Sequence, residues 1–325
     1  MFIPTYKRAD LLELLLDSLL EQTVPMEIFE VIVVDNMPEG DAQVARLCES
    51  ARYAPLTLTC VHHPVPGTSE ARNRGISLAR APVVGFADDD NVLPKDWIEK
   101  TLECHTRLPL LIIGGPYRPF YTTPKPDWLQ DRYLTLSWGS EARLLGEREH
   151  LFGGNMAWPA KLLRDVGGFS TRIGRVGSNQ EYGEETEIQL RAEQMGANRW
   201  FDPGLYNFHY VPLGHMRASW FMKSRWHHGK AKARIFLHDL VRTDKRPYYR
   251  VAGAWYRSAL RHGFSILWHM LVLPFRDRAR FPAYQNYIIE IICPKISGFS
   301  MCLYIGSHFR RAVLVRLENP IRGAG

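Results

Sequence analysis

Residues 83–91 read Val83-Val84-Gly85-Phe86-Ala87-Asp88-Asp89-Asp90-Asn91, an apolar run of strand length that ends in three successive carboxylates. A continuous apolar run bounded by polar residues suits a strand buried on both faces, as in a parallel sheet. Like charges crowded at its end cost free energy unless a cation offsets them. Hard ions such as Mg2+ or Mn2+ bind through one or two carboxylates together with substrate phosphates. An Asp-x-Asp in this position therefore points to metal-bridged diphosphate binding. The plain alternative is an Asp-rich turn that caps the following helix.

Upstream of this stretch, strand and helix patterns alternate. The sequence predicts a strand at 2–5, a helix over 11–20, a strand at 29–35, a helix near 41–52, a strand at 56–61 and a helix at 69–79. Downstream, a helix starts near Pro94, a residue suited to a first helical turn. This periodicity predicts an α/β fold, Rossmann-like, with a mainly parallel sheet flanked by helices. Ligands in such sheets sit beyond the carboxyl ends of the strands. Here those ends read Pro4-Thr5-Tyr6, Asp35-Asn36 and Asp88-Asp89-Asp90. From 114 to 150, prolines among aromatic residues predict a long functional loop region.

With 325 residues, 46% of them hydrophobic, the chain can bury a large core, which excludes disordered, collagen-like and mini-protein classes. Five cysteines without a Cys-x-x-Cys pair argue against a disulfide framework and for a reducing compartment. The net charge of +7 is unevenly placed. Residues 1–209 carry 21 Lys/Arg against 29 Asp/Glu, and residues 210–325 carry 20 against 5. Three parts are expected: 1–115 and 116–215 as two halves of the α/β domain, and 216–325 as a basic, aromatic-rich helical extension with helices near 217–228 and 248–273. The run Gly263 to Phe275 falls short of the roughly 20 residues that a spanning helix needs, so no transmembrane segment is predicted.

Other residues cluster by type. Gly183-Glu184-Glu185-Thr186-Glu187 opens an amphipathic helix behind a lead-in containing Gly174 and Gly177. Acids in a first helical turn complement the macrodipole, and one of them could equally serve as a general base. Gly153-Gly154-Asn155-Met156 lets backbone approach a ligand or simply makes a tight turn. His209, at the end of a strand-like stretch, is a packed residue or a metal ligand.

In this order and spacing, Ile3-Pro4-Thr5-Tyr6-Lys7-Arg8, Val33-Val34-Asp35-Asn36, Ala71-Arg72-Asn73-Arg74-Gly75, Phe86 to Asp90, Gly153 to Met156, Gly183 to Glu187 and His209 resemble the family 2 glycosyltransferases with the GT-A fold. The likeness covers residues 2–235. It implies inverting transfer of a sugar from a nucleotide diphosphate donor, with Mn2+ or Mg2+ as cofactor, to a hydroxyl of a glycan or lipid-linked acceptor. By similarity, Pro4, Thr5, Tyr6, Arg8, Asp35, Arg72, Asp88 and Asp89 line the nucleotide. Asp90, Asp88 and His209 hold the metal, Gly153, Gly154, Asn155, Met156 and Glu184 face the sugars, and Glu185 is the base, with Glu184 or Glu187 as substitutes. A UDP-sugar is favoured because Asp35 suits a ring N–H donor, with guanine and thymine left open.

Three departures stand out. Glu184-Glu185 replaces the family's usual Glu-Asp, and the sequence starts at Met1-Phe2-Ile3-Pro4 where the family's first strand runs several residues further upstream, so either the strand is short or the start is truncated. The Gln-x-x-Arg-Trp pattern of processive members is absent, its nearest match being Lys223-Ser224-Arg225-Trp226, so single addition is expected. A catalytically silent scaffold of the same fold and a sugar nucleotidyltransferase are the competing readings. The latter would carry a glycine-rich N-terminal loop that Ile3 to Tyr6 lacks. The basic extension suits an anionic membrane surface or a helical subdomain with a solvated basic face. Its scattered charge does not suit nucleic acid. A cytoplasmic enzyme, peripheral on the inner membrane's cytoplasmic face, is expected, with the oligomeric state left open.

Overall fold

The first strand, β1 (Phe2–Thr5), runs in the interior of an eight-stranded sheet. In the computed structural model, which describes residues 1–171, 183–244 and 247–318, the chain continues through α1 (Ala9–Leu20), β2 (Glu30–Asp35), α2 (Ala42–Cys48), β3 (Thr57–His62), α3 (Thr68–Leu78), β4 (Val83–Ala87), β5 (Asn91–Val92) and α4 (Trp97–Arg107). Then follow β6 (Ile112–Gly114), β7 (Tyr117–Phe120), β8 (Arg143–Leu144), β9 (Asn155–Pro159), α5 (Ala160–Asp165), α6 (Glu184–Gln194), β10 (Arg199–Phe201) and β11 (Asn207–Tyr210). The large sheet has the order β3-β2-β1-β4-β9-β6-β10-β8, and a small one has β5-β11-β7. Among β1 to β4 every pairing is parallel. Strand β9 runs antiparallel between β4 and β6, and β8 antiparallel beside β10.

The apolar strands are apolar because both faces are covered. In β2, Val31 and Val33 pack with Leu12, Leu15, Leu16 and Leu19, the i, i+3, i+4, i+7 face of α1. Its alternate residues Ile32 and Val34 join Phe2, Phe86, Trp158, Leu163 and Ile188 on the other face. Helix α3 crosses β1 so closely that a Cβ on Gly75 would fall within the Phe2 ring.

The chain falls into two compact units. One comprises Met1–Thr122 with Leu134–Val211, the other Thr123–Tyr133 with Pro212–Gly325. Strands from both sides of residue 115 share each sheet, which makes 1–115 and 116–215 one body. Helix α4 begins at Trp97, because Pro94 opens a turn ahead of it in which its carbonyl accepts the Trp97 N–H. Gly174 and Gly177 lie outside the described residues.

In the second unit, α7 (Ala218–Thr243), α8 (Tyr248–Val272), a short α9 (Tyr284–Tyr287) and α10 (Cys293–Glu318) pack on one another, α10 against both α7 and α8. The expected absence of a membrane-length segment needs correction. The helical run Tyr284–Arg310 is long and apolar enough to cross a membrane by length and composition, although 44% of its apolar window is buried inside the protein. Reading only for uninterrupted apolar stretches missed it, since Glu290 and Lys295 break the run.

Replacing Gly75 by Ala is expected to overpack the α3–β1 contact and lower stability by about 1–3 kcal/mol. Urea unfolding at constant m-value is the measurement, and an unchanged midpoint would contradict the close approach.

Candidate active site

Parallel pairing sets the carboxyl ends of β2, β1 and β4 side by side, with Thr5 opposite Asp35 and Phe2 opposite Phe86. The Asp88–Asp90 turn that follows β4 is closed by Asn91, whose Oδ1 accepts the Asp88 N–H at 2.7 Å. Asp89 is buried and accepts from the Thr5 hydroxyl at 3.0 Å, the Tyr6 N–H at 3.3 Å and Arg8 Nη1 at 3.0 Å. Burial and the Asp90 charge push the Asp89 carboxyl up to about 7, against the pull of Arg8 and Thr5. Arg8 also reaches Asp90 Oδ2 at 2.7 Å. Thr5, Tyr6 and Arg8 thus gather on Asp89, while Pro4 sits within β1 opposite Val34. Asp35 accepts the N–H groups of Met37 at 3.0 Å and Asp41 at 2.5 Å, fixing the loop after β2.

The small sheet delivers His209. Strand β5 leaves the aspartate turn and pairs antiparallel with β11, placing Asn91 opposite His209, while the Tyr210 N–H donates to the Asp90 carbonyl at 2.8 Å. His209 Nε2 consequently lies 3.4 Å from Asp90 Oδ1, a buried oxygen with no hydrogen-bond partner. An unpartnered carboxylate oxygen beside an imidazole nitrogen is a donor pair that fits a divalent cation. Among the described residues no group of three such ligands converges. A cation there would complete its shell from water and substrate phosphates. Asp88 turns elsewhere, its Oδ1 lying 3.5 Å from Arg72 Nη2 and its carboxylate resting where a side chain on Gly154 would be.

Arg72, on α3, is buried and also meets Glu184 Oε1 at 3.2 Å and the Phe169 ring at 5.0 Å. The three glutamates of the first turn of α6 are thereby separated by partner. Glu184 is buried against Arg72, and Glu187 is held by Arg191 at 2.7 and 2.9 Å. Glu185 stands over Gly153, close to where a Cβ on that glycine would fall. Burial and the neighbouring Glu184 push its carboxyl up to about 7, with Arg72 pulling the other way. A Cβ at Gly153 would crowd the Arg72 guanidinium, and one at Gly154 would overlap Asp88 and Tyr117.

Asn155 and Met156, expected to face the sugars, have buried side chains. The Asn155 amide accepts from Trp97 Nε1 and donates to the Pro116 and Leu205 carbonyls, and Met156 is fully buried in the core. Alternation along β9 sends the two side chains to opposite faces of the sheet, and both faces are covered. Tyr117 was not singled out from the sequence as a site residue. Its hydroxyl accepts the Gly154 N–H at 2.6 Å and its ring packs on His209 at 5.1 Å between centroids. Nothing distinguished it from the surrounding aromatics, since its role depends on β7 pairing with β11.

The chain is 26% identical over 242 residues to the glucosyl-dolichyl phosphate glucuronosyltransferase of Haloferax volcanii, covering 72% of this chain and 75% of that protein. It is 28% identical over 236 residues to the succinoglycan biosynthesis protein ExoM of Rhizobium meliloti, covering 71% and 72%. Among solved structures, a Pyrobaculum calidifontis mannosyltransferase in complex with GDP-Man and Mn2+ superposes with a TM-score of 0.51 at 17% identity, over 100% of this chain and 75% of that one. TarS of S. aureus gives 0.52 at 15% identity, over 94% and 54%. These neighbours share the GT-A fold. The family model described as glycosyl transferase family 2 matches residues 1–167, the segment from β1 through β9 that holds the aspartate turn, Arg72 and both glycines, and the chain belongs to that family of glycosyltransferases.

Proposed function

We propose that this glycosyltransferase is a metal-dependent, inverting enzyme that adds single sugars from a nucleotide diphosphate sugar, UDP-linked in preference, to a hydroxyl of a glycan or lipid-linked acceptor. The observation that carries this is the Asp90–His209 pair, 3.4 Å apart, in one site with a buried Glu185 that stands beside Gly153. Asp90 and His209 would hold Mn2+ or Mg2+, which when bound takes up negative charge developing on the nucleoside diphosphate. Arg72 and Asp88 border the nucleotide, and Asp35 suits the base. Glu185 accepts the acceptor proton as the acceptor oxygen attacks C1 from the face opposite the leaving group. One in-line displacement inverts the anomeric centre. The names of the two relatives, one including glucosyl-dolichyl phosphate and the other succinoglycan biosynthesis, support a glycan or lipid-linked acceptor. A cytoplasmic enzyme peripheral on the inner membrane suits such an acceptor and the basic second unit.

Calorimetric titration with UDP, GDP, TDP and CDP, each with and without Mn2+, is the test. One nucleotide is expected to bind only with the metal. Absence of all binding by folded protein would overturn the proposal and favour a silent scaffold. Asp90→Ala is expected to abolish the metal-dependent part of that binding. Glu185→Gln should leave nucleotide binding intact and slow transfer on the order of 10²-fold or more; normal turnover would remove Glu185 from the role of base. Because the base works deprotonated, and Glu184 and Arg72 are the charged groups that face it, kcat/KM should rise with pH through about 7 and this limb should vanish in Glu185→Gln.

A further inference from the structure

Helix α8 turns its apolar residues outward. Leu260, Phe264, Leu267 and Leu271 follow one another at i, i+4, i+7 and i+11 and are 61%, 70%, 62% and 72% exposed; Trp268 at 63% widens the stripe, and Phe275 at 87% extends it beyond the helix end. The opposite side packs inward through Val251 and Ala259. Along one flank of the stripe run Arg250, Arg257 and Arg261, all exposed, at i, i+7 and i+11. The helix contains no Asp or Glu. An exposed apolar stripe is costly in water, and a basic, acid-free border is the complement of a phosphate-bearing apolar surface.

We infer that α8 is a membrane-docking helix that lies in the plane of an anionic phospholipid surface, its leucines and aromatics among the upper acyl chains and its arginines on the lipid phosphates. This deepens the peripheral-membrane reading above and rests on it. Three observations select the occupant. The arginines interrupt the helix too often for it to span, so it lies flat. The region 210–325 adds 20 Lys/Arg against 5 Asp/Glu, a charge balance that draws it to anionic headgroups. A second copy seated on the same stripe would bring arginine flanks together with no carboxylate on the helix to offset them. The apolar helical run Tyr284–Arg310 differs, since much of its apolar surface already packs inside the protein.

The test is flotation of the full chain with vesicles of phosphatidylcholine alone and of phosphatidylcholine mixed equally with phosphatidylglycerol, at low and high salt. Nucleoside diphosphate binding and sedimentation are read in parallel. The wild-type chain is expected to float with the anionic vesicles and to be released by salt. Leu260→Asp/Phe264→Asp/Leu271→Asp is expected to lose flotation while retaining nucleotide binding. Arg257→Glu/Arg261→Glu, which removes no buried group, should weaken it about tenfold or more. Unchanged flotation of both variants would overturn the assignment to α8 while leaving a membrane-bound enzyme in place. No flotation of the wild type would overturn the membrane reading as well. A wild-type dimer that the triple variant renders monomeric, without vesicle binding, would show that the stripe serves a second copy and would equally overturn the inference.

Discussion

Three carboxylates in succession at the end of a buried strand are tolerated because two guanidinium groups and an imidazole from three distant segments reach them. Arg8 comes from the start of α1, Arg72 from α3 and His209 from β11. Each is carried by an element whose placement the sheet determines. An unpaired buried charge is strongly destabilising, so this convergence constrains the fold as much as the chemistry. Thr5 and the Tyr6 N–H add neutral donors to the most buried carboxylate of the three, Asp89. Charge compensation and site assembly are one event here.

A single guanidinium links the aspartate turn to the first turn of α6. Arg72 borders Asp88 at the aspartate turn and Glu184 at the start of α6, and the bare backbone of Gly153 admits it between them. Two chemically identical neighbours, Glu184 and Glu185, thereby acquire different characters. One is an ion-pair partner, and the other is a carboxyl poised near neutrality. The distinction arises from the partners that α3 and α6 supply, since side-chain type is the same.

Much of this was legible in the sequence, for identifiable reasons. The strand at 83–87 and its polar terminus are local features, and the apolar periodicity of α1 follows from one buried helix face. At the double glycine the structure packs the Arg72 and Asp88 side chains where Cβ atoms would be. What escaped depends on pairing between distant strands. Asn155 reads as a polar site residue until β9 is seen to turn it towards Trp97. Tyr117 acquires a role only because β7 pairs with β11, ninety residues apart in register (Asn207 opposite Tyr117). The apolar character of Tyr284–Arg310 is interrupted by Glu290 and Lys295, so a reading that counts uninterrupted runs passes over it.

The antiparallel strand β9 has a consequence for the order in which the molecule is made. Strands β1 to β4 come from the first 87 residues and are joined by short helical crossovers, so this quartet can assemble early. Its outer edge, Val83 to Ala87, is then an apolar strand with open hydrogen-bonding groups, and the chain must reach Pro159 before β9 covers it. The same strand also pairs with β6, so one late segment closes the gap between two earlier ones. During synthesis, which proceeds from the N-terminus, the chain passes through a stage with an uncapped sheet edge. A nascent chain halted before Asn155 keeps that edge open to any other strand that meets it.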